Sequence, residues 1–283
     1  MKILVTGANG YLGQGVVKAL LDRGQEVIAV DFKTDFVDER ASKYVCNLFE
    51  IEDPFGTFEE PDVIIHMAWR DGFRHDSLNH MNDLANHYHF LSRMIQAGIS
   101  QVVVLGSMHE VGFFEGSINE ATPTNPQSLY GIAKNALRQS IELLQKDYDF
   151  VFQWIRGFYI VGNVQYGCSI FSKIAEAVEQ GKKEFPFTMG ENQYDFLDYN
   201  DFCRQVALVT LQQRVQGIIN CCSGKPMKLS ERVEAFIREN HYDIKLQYGA
   251  FPDRPYDSKA IWGNNEKILS IIEEQDIQGE GLR

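Results

Sequence analysis

The sequence predicts an α/β fold, a doubly wound parallel sheet with a smaller, interleaved C-terminal domain. Three observations carry this. The chain opens on an apolar run, Ile3, Leu4 and Val5, followed by glycines at 7, 10 and 13 and by a helical stripe of Leu12, Val16, Val17, Leu20 and Leu21. Strand-like and helix-like segments then alternate to about residue 155, as βαβ units require. After Gly157 the alternation loses regularity, with no repeat, low-complexity tract or Ser/Gly linker to separate a second unit.

Each element has its own justification. Consecutive apolar residues at 3–5 fit a strand buried on both faces. In the turn, Gly7 permits the tight bend, Gly10 lets the backbone approach a pyrophosphate, and Gly13 lets the helix pack on the sheet with its N-terminus toward phosphate charge. Asn9, Tyr11 and Leu12 belong to the same cradle. A second strand at 26–30 ends on Asp31, eighteen residues after Gly13, where a carboxylate can hold a ribose 2′-hydroxyl. A carboxylate there repels a 2′-phosphate, so NAD is expected in preference to NADP, with Lys33 the one nearby feature that leaves room for NADP.

Strands follow near 43–46, 62–66, 101–105 and 151–155, with long helices at 84–97, ended by Gly98, and 129–146. Right-handed crossovers put ligands at the C-terminal ends of such strands, where Gly7, Asp31, Met67, Ala68, Ser107 and Arg156 all stand. Later helices are expected at 170–180, 201–212, 230–239 with Ser230 as cap, and 265–274 before a frayed tail at 275–283. A strand at 217–221 returns to the main sheet. The expected division is therefore 1–161 for the dinucleotide-binding domain, joined again by 198–222, and 162–197 with 223–283 for the small domain.

Composition narrows the function. A net charge of −12 disfavours nucleic acid and anionic membranes, but not small anions held by backbone amides and a few arginines. No apolar run is long enough to span a bilayer, and the first strand leaves no room for a signal peptide. The five cysteines lack metal-ligand spacing and read as reduced thiols of a cytoplasmic protein. No metal site is expected: His87 and His89 fall two apart on a helix and point away from each other.

The chemistry is expected from Tyr130 and Lys134, one turn apart on one helix face. An ammonium about 4 Å from the phenol contributes roughly 4 kcal/mol at an effective dielectric near 20. That would lower the tyrosine by up to ~3 pH units, fitting it to exchange a proton with a substrate oxygen as hydride moves to or from a nicotinamide. Ser107, at the end of a strand, can donate a hydrogen bond to the same oxygen.

These motifs together, Thr6 to Gly13, Asp31, Asp62 to Ala68, Asn82, Ser107 and Tyr130-x-x-x-Lys134, resemble an extended short-chain dehydrogenase/reductase. The chain is most similar to the NAD-dependent epimerase/dehydratase group acting on nucleotide sugars. The resemblance continues through Arg156, Asp195 to Asp201 and Arg254. It implies a Rossmann-type sheet, bound NAD, a catalytic set of Ser107, Tyr130 and Lys134, Asn82 supporting the lysine through water, and Arg254 near the nucleotide diphosphate. It also implies a homodimer that pairs the two long helices into a four-helix bundle.

The departures bear on the reaction. Many sugar-nucleotide dehydratases carry Asp-Glu after the catalytic Ser or Thr; this chain has Met108 and His109, which takes support from dehydration. His109 occupies the proton-handling slot and is either an acid/base or substrate contact or a packed structural histidine. Asn47 stands where an adenine-binding Asp is common, and Tyr159 replaces a substrate-contacting Asn. Trp69 and Arg70 follow the fourth strand, where small residues usually line the nicotinamide; Arg70 either holds substrate or forms a structural salt bridge. The leading expectation is reduction of a dTDP-4-keto-6-deoxyhexose. The alternatives are a nucleotide-sugar 4-epimerase with tightly bound NAD and, in another class, a non-catalytic dinucleotide-binding redox sensor.

Overall fold

Period-two alternation in the central strands sends neighbouring residues to opposite faces of one sheet. Ile3, Val5, Val27, Ala29, Val63, Ile65 and Val103 enter one core; Leu4, Ile28, Val30, Ile64, Val102 and Val104 enter the other. The computed structural model describes residues 1–163, 169–252 and 258–280.

In chain order the strands are Lys2–Thr6 (β1), Glu26–Asp31 (β2), Ser42–Val45 (β3), Val63–His66 (β4), Gln101–Ser107 (β5), Gly116–Ile118 (β6), Val151–Gly157 (β7), Tyr159–Val161 (β8), Glu184–Pro186 (β9), Gln193–Asp198 (β10), Gly217–Cys221 (β11), Pro226–Lys228 (β12), Lys245–Gln247 (β13) and Ala260–Gly263 (β14). The helices are Tyr11–Leu21 (α1), Pro54–Thr57 (α2), Asn79–Asn82 (α3), Leu84–Gln96 (α4), Leu129–Leu144 (α5), Ile170–Glu179 (α6), Tyr199–Thr210 (α7), Leu229–Glu239 (α8) and Glu266–Glu280 (α9).

The main sheet is parallel throughout, in the order β11-β7-β5-β4-β1-β2-β3. The order reverses between β1 and β4, which opens a crevice at their C-terminal ends. On one face lie α1, α7 and α9; on the other, α4 and α5 pack side by side. This is the Rossmann-type sheet the sequence predicts.

The smaller lobe is built on a second sheet, β12-β10-β14-β6, with β8 also paired to β10. It has two cores, one largely aromatic around Phe171, Phe187 and Phe236, the other of Met108, Val111, Ile118, Tyr194 and Ile261. Buried Asp195 ties this sheet together by accepting from Ser223 N at 2.8 Å, Gly224 N at 2.9 Å and Gly263 N at 3.1 Å.

Three expectations need correction. Residues 223–283 do not act as one small-domain segment: Ile268 and Ile271 of α9 are buried in the main core with Val206 and Ile219, because that face of the sheet needs a cover beyond α7. That helix runs on to Glu280 instead of fraying after 274. Ser230 is not the cap of its helix; α8 begins at Leu229, and Ser230 N donates to Gly190 O at 2.9 Å, so a neighbouring carbonyl does the work assigned to the hydroxyl.

If α9 belongs to the main core, Ile271→Ala is expected to lower stability by about 2–4 kcal/mol. Chemical denaturation should show the loss in the single transition that also melts the main sheet. A shift confined to a separate small-lobe transition would contradict the assignment.

Candidate active site

The glycine turn sits against the end of β4 so closely that side chains are excluded. Gly7 has φ +71°, and a methyl there would stand 2.6 Å from Ala68 N; one at Gly13 would overlap Gly7 O and Ala8 Cα. Thr6 Oγ1 accepts from Met67 N at 3.2 Å and Ala68 N at 3.3 Å, stitching the two strand ends together. Exposed Gly10 starts α1 with no side-chain cap, so the first-turn amides face outward. Tyr11 is fixed from two sides, its hydroxyl donating to Gly162 O and its carbonyl accepting from Tyr199, both at 2.7 Å. Asp31 closes the cradle: its carboxylate accepts from Asn9 N at 3.0 Å and Phe32 N at 2.7 Å, while burial raises its pKa.

A cleft of about 790 Å³ opens from this turn, lined by Gly7, Gly10, Tyr11, Leu12, Gly13, Met67, Trp69, Ser107, His109, Tyr130 and Lys134 on the sheet side. Residues of the smaller lobe, among them Tyr159, Phe171, Tyr194 and Phe196, form the opposite wall. The structure thus brings Ser107, Tyr130 and Lys134 into one cavity with the cradle.

Local structure sets each of the three. Ser107 ends β5 and caps a short 3-10 turn, its hydroxyl accepting from His109 N at 3.3 Å and its own N–H bonding Glu110 Oε1 at 2.6 Å. Ser128 caps α5 through Gly131 N, which places Tyr130 in the first turn and Lys134 one turn deeper. The Ser107 side chain is near enough to the Tyr130 phenol to pull its pKa down. Lys134 Nζ donates to Leu105 O at 2.6 Å and lies 3.8 Å from the Trp69 ring centroid, but 6.0 Å from that of Tyr130.

The electrostatics differ from the sequence expectation. Burial raises the Tyr130 phenol to about 12, against the lowering influence of Ser107, and burial drives Lys134 down to about 7. The expected depression of the tyrosine by the lysine does not occur: removal from water disfavours the charged form of both groups, and the neighbours that act on the phenol are Ser107 and Glu110.

The remaining predicted residues sort by position. Asn47 is half-buried, does not line the cleft and is committed to local bonds, capping Phe49 N and donating to Glu50. Asn82 is exposed at the end of α3, and the direct contacts of the Lys134 ammonium are Leu105 O and Trp69. Arg70 resolves as a salt bridge to Asp83 and does not line the cleft; Arg74, largely exposed and 4.0 Å from Asp71, does. His109 lines the cleft with its ring 4.2 Å from that of His75, and burial, then that neighbour, holds it well below the usual histidine range. The Tyr159 ring lies 4.4 Å from that of Tyr194, tilted by 30°, in the far wall. Arg254 lies outside the described residues.

Sequence reasoning missed His75, which stacks on Tyr130 at 5.1 Å and 10° and whose carbonyl accepts from Tyr130 N. It also missed Glu110, buried against Trp154 Nε1 at 2.9 Å and 3.6 Å from Arg156. The Ser-x-x-Glu spacing of a capping box was the available signal. Among the described residues no cluster of His, Cys, Asp and Glu could hold a metal ion, and no helix is long and apolar enough to cross a membrane.

A glycine cradle at the switch point of a parallel sheet, facing a Ser/Tyr/Lys cluster, defines a dinucleotide-dependent enzyme of the extended short-chain dehydrogenase/reductase class. The NAD dependent epimerase/dehydratase family model matches residues 3–222, and the chain belongs to that family. It is 40% identical over 269 residues to the dTDP-6-deoxy-L-talose 4-dehydrogenase (NAD(+)) of Aggregatibacter actinomycetemcomitans, covering 93% of this chain and 99% of that one. Among solved structures it resembles the UDP-glucose 4-epimerase of Thermus thermophilus in complex with NAD, with a TM-score of 0.82 at 21% identity over 95% of this chain and 92% of that one. It also resembles the UDP-N-acetylglucosamine 4-epimerase of Methanobrevibacter ruminantium, with a TM-score of 0.83 at 19% identity over 95% and 91%. NAD is the cofactor, and the residues present fit it: the side-chain-free turn, the outward amides and Asp31 suit a pyrophosphate and an unphosphorylated ribose.

Lys134 makes stability pH-dependent. Its folded pKa of about 7 lies below the reference 10.5, so between those values the unfolded chain binds the extra proton and stability falls as pH drops. Lys134→Met is therefore expected to stabilise the fold by about 1–4 kcal/mol at pH 7 and below, with the gain shrinking toward the upper value, while turnover is lost. Melting temperatures across pH 6–10 check it; a Met variant less stable than wild type at pH 7 would contradict the assignment.

Proposed function

We propose that this enzyme exchanges hydride at C4 of a dTDP-6-deoxyhexose, working as a reductase of the 4-keto sugar. The observation that carries the reading is the near-full-length similarity to a dTDP-6-deoxy-L-talose 4-dehydrogenase, which is named for the same bond in the oxidative sense. The cleft supports it. Asp71 is the one carboxylate residue among the described residues lining it; its Oδ2 accepts from Ser77 at 2.6 Å and Asn79 at 2.7 Å, and its Oδ1 lies 4.0 Å from the Arg74 guanidinium. Glu110 is turned into the core. Elimination of water, which draws on an acid and a base beside the sugar, has little to work with.

Bound NADH would supply the hydride and leave as NAD+. Tyr130 gives its phenolic proton to the developing C4 alkoxide, Ser107 orients that oxygen by a hydrogen bond, and Lys134 holds the cofactor ribose. The tyrosinate is then reprotonated from solvent, so one proton and one hydride convert ketone to alcohol. A phenol near 12 is a weak acid toward water but well matched to an alkoxide. Tyr159 and Arg74 are assigned to the sugar and its diphosphate, and Arg254 to the same anion. A homodimer through α4 and α5 is part of the proposal, supported by their side-by-side packing and by exposed Ile132 and Leu143.

Mixing the enzyme, a dTDP-4-keto-6-deoxyhexose and NADH should consume one NADH per sugar reduced, followed by absorbance. Sugar conversion without net NADH loss would replace the reductase by a 4-epimerase. Tyr130→Phe should bind NAD+ within about twofold of wild type and lose at least ~100-fold in kcat. NAD+ binding with no turnover of any nucleotide sugar by the wild-type chain would favour a redox sensor.

A further inference from the structure

Trp69 is the residue that the family resemblance did not absorb: a large indole where small residues are expected, directly after the strand end that meets the glycine turn. Its ring is pinned at every point. Nε1 donates to His80 Nδ1 at 3.0 Å; because an indole N–H only donates, His80 must carry its proton on Nε2, which reaches Arg74 O at 3.0 Å. His87 stacks on the indole at 4.3 Å and 11°. His87 Nδ1 is in turn 2.8 Å from His66 Nε2, and His66 Nδ1 is 2.9 Å from Thr6 Oγ1 at the end of β1. The indole is therefore anchored to the loop after β4, to α4 and to the strand that carries the cradle.

What this anchored ring holds is the ammonium of Lys134, 3.8 Å from its centroid. Lys134 is 1% exposed and has, among the described residues, one hydrogen-bond acceptor, Leu105 O. Water solvates an ammonium through three N–H bonds. The π face supplies part of the missing stabilisation in a site where cation–π attraction is strengthened by desolvation. We infer that Trp69 is the positioning residue for Lys134, its indole face holding the ammonium beside Leu105 O where it can meet the cofactor ribose.

The groups facing Lys134 fit that role. Tyr130 lies on its own helix, Glu110 attracts it from the turn after β5, and His66 and His87 approach from β4 and α4. Both histidines are held neutral by burial, so the wall behind the indole does not repel the charge.

The inference rests on Lys134 contacting the ribose, and the test separates the two. NAD+ affinity is measured calorimetrically at pH 7 for wild type, Trp69→Leu, Trp69→Phe, Lys134→Met and the Trp69→Leu/Lys134→Met double variant. Trp69→Leu is expected to weaken NAD+ about tenfold, Trp69→Phe, which keeps a π face, by less than about threefold. In the Lys134→Met background Trp69→Leu should cost less than about twofold, since the partner it acts through is gone. Equal losses in both backgrounds, no loss in Trp69→Leu, or a Phe variant as weak as Leu would overturn the inference. A Lys134→Met variant that binds NAD+ like wild type would instead remove the ribose contact on which it rests. If Trp69→Leu fails to fold, the Phe variant in both backgrounds decides: a loss of several-fold that persists without Lys134 overturns the inference, and a small loss that disappears without it upholds it.

Discussion

The structure depends on how closely two strand ends meet. At the point where strand order reverses, the backbone of the first turn lies within van der Waals reach of Met67 and Ala68, and only a glycine at 7 permits it. Thr6 makes the contact specific by accepting both following amides of β4. Everything functional is referred to that junction. Outward from it run the uncapped first-turn amides of α1 and, on the far side of Ala68, the indole that touches Lys134. A shift of the turn would therefore move the cofactor cradle and the lysine wall together, which is a mechanical reason for the two sites to stay in register.

The second constraint is desolvation. The cleft and the core behind it hold a phenol, an ammonium, a carboxylate and several imidazoles out of water, and each is displaced toward its neutral form: Tyr130 and Glu110 upward, Lys134, His66, His75, His87 and His109 downward. The one strong compensation is the Glu110 carboxylate, which accepts from Ser107 N and Trp154 and faces Arg156 in the core. That network also fixes Ser107, so its energetic cost falls on an element that orients a reacting group. Neutral imidazoles around the lysine have a further effect: they add polarity and shape without adding a competing positive charge.

Much of this was legible in the sequence because it depends on local grammar. Glycines at 7, 10 and 13 after an apolar run, Asp31 at the next strand end and the Tyr130/Lys134 spacing each follow from one backbone requirement, and the main sheet follows from period-two alternation in its strands. What could not be read is what tertiary contact decides. No spacing reveals that α9 returns to the first core, that Arg70 is drawn off by Asp83, or that His75 folds back over Tyr130. The direction of the tyrosine's shift was misjudged for the same reason: a pairwise spacing carries the Coulomb attraction and is blind to burial.

The same distinction bears on the chemistry. A hydride transfer with proton exchange needs one well-placed acid, whereas elimination needs an acid and a base on the sugar. In this cleft the serine is followed by Met108, buried in the small-lobe core, and by His109, held neutral; the nearby glutamate is spent on Trp154 and Arg156. The far wall of Tyr159, Tyr194 and Phe196 offers mainly apolar faces and two hydroxyls. Proton-handling capacity is thus concentrated on Tyr130, and the reaction that asks only for that capacity is exchange between a carbinol and a ketone.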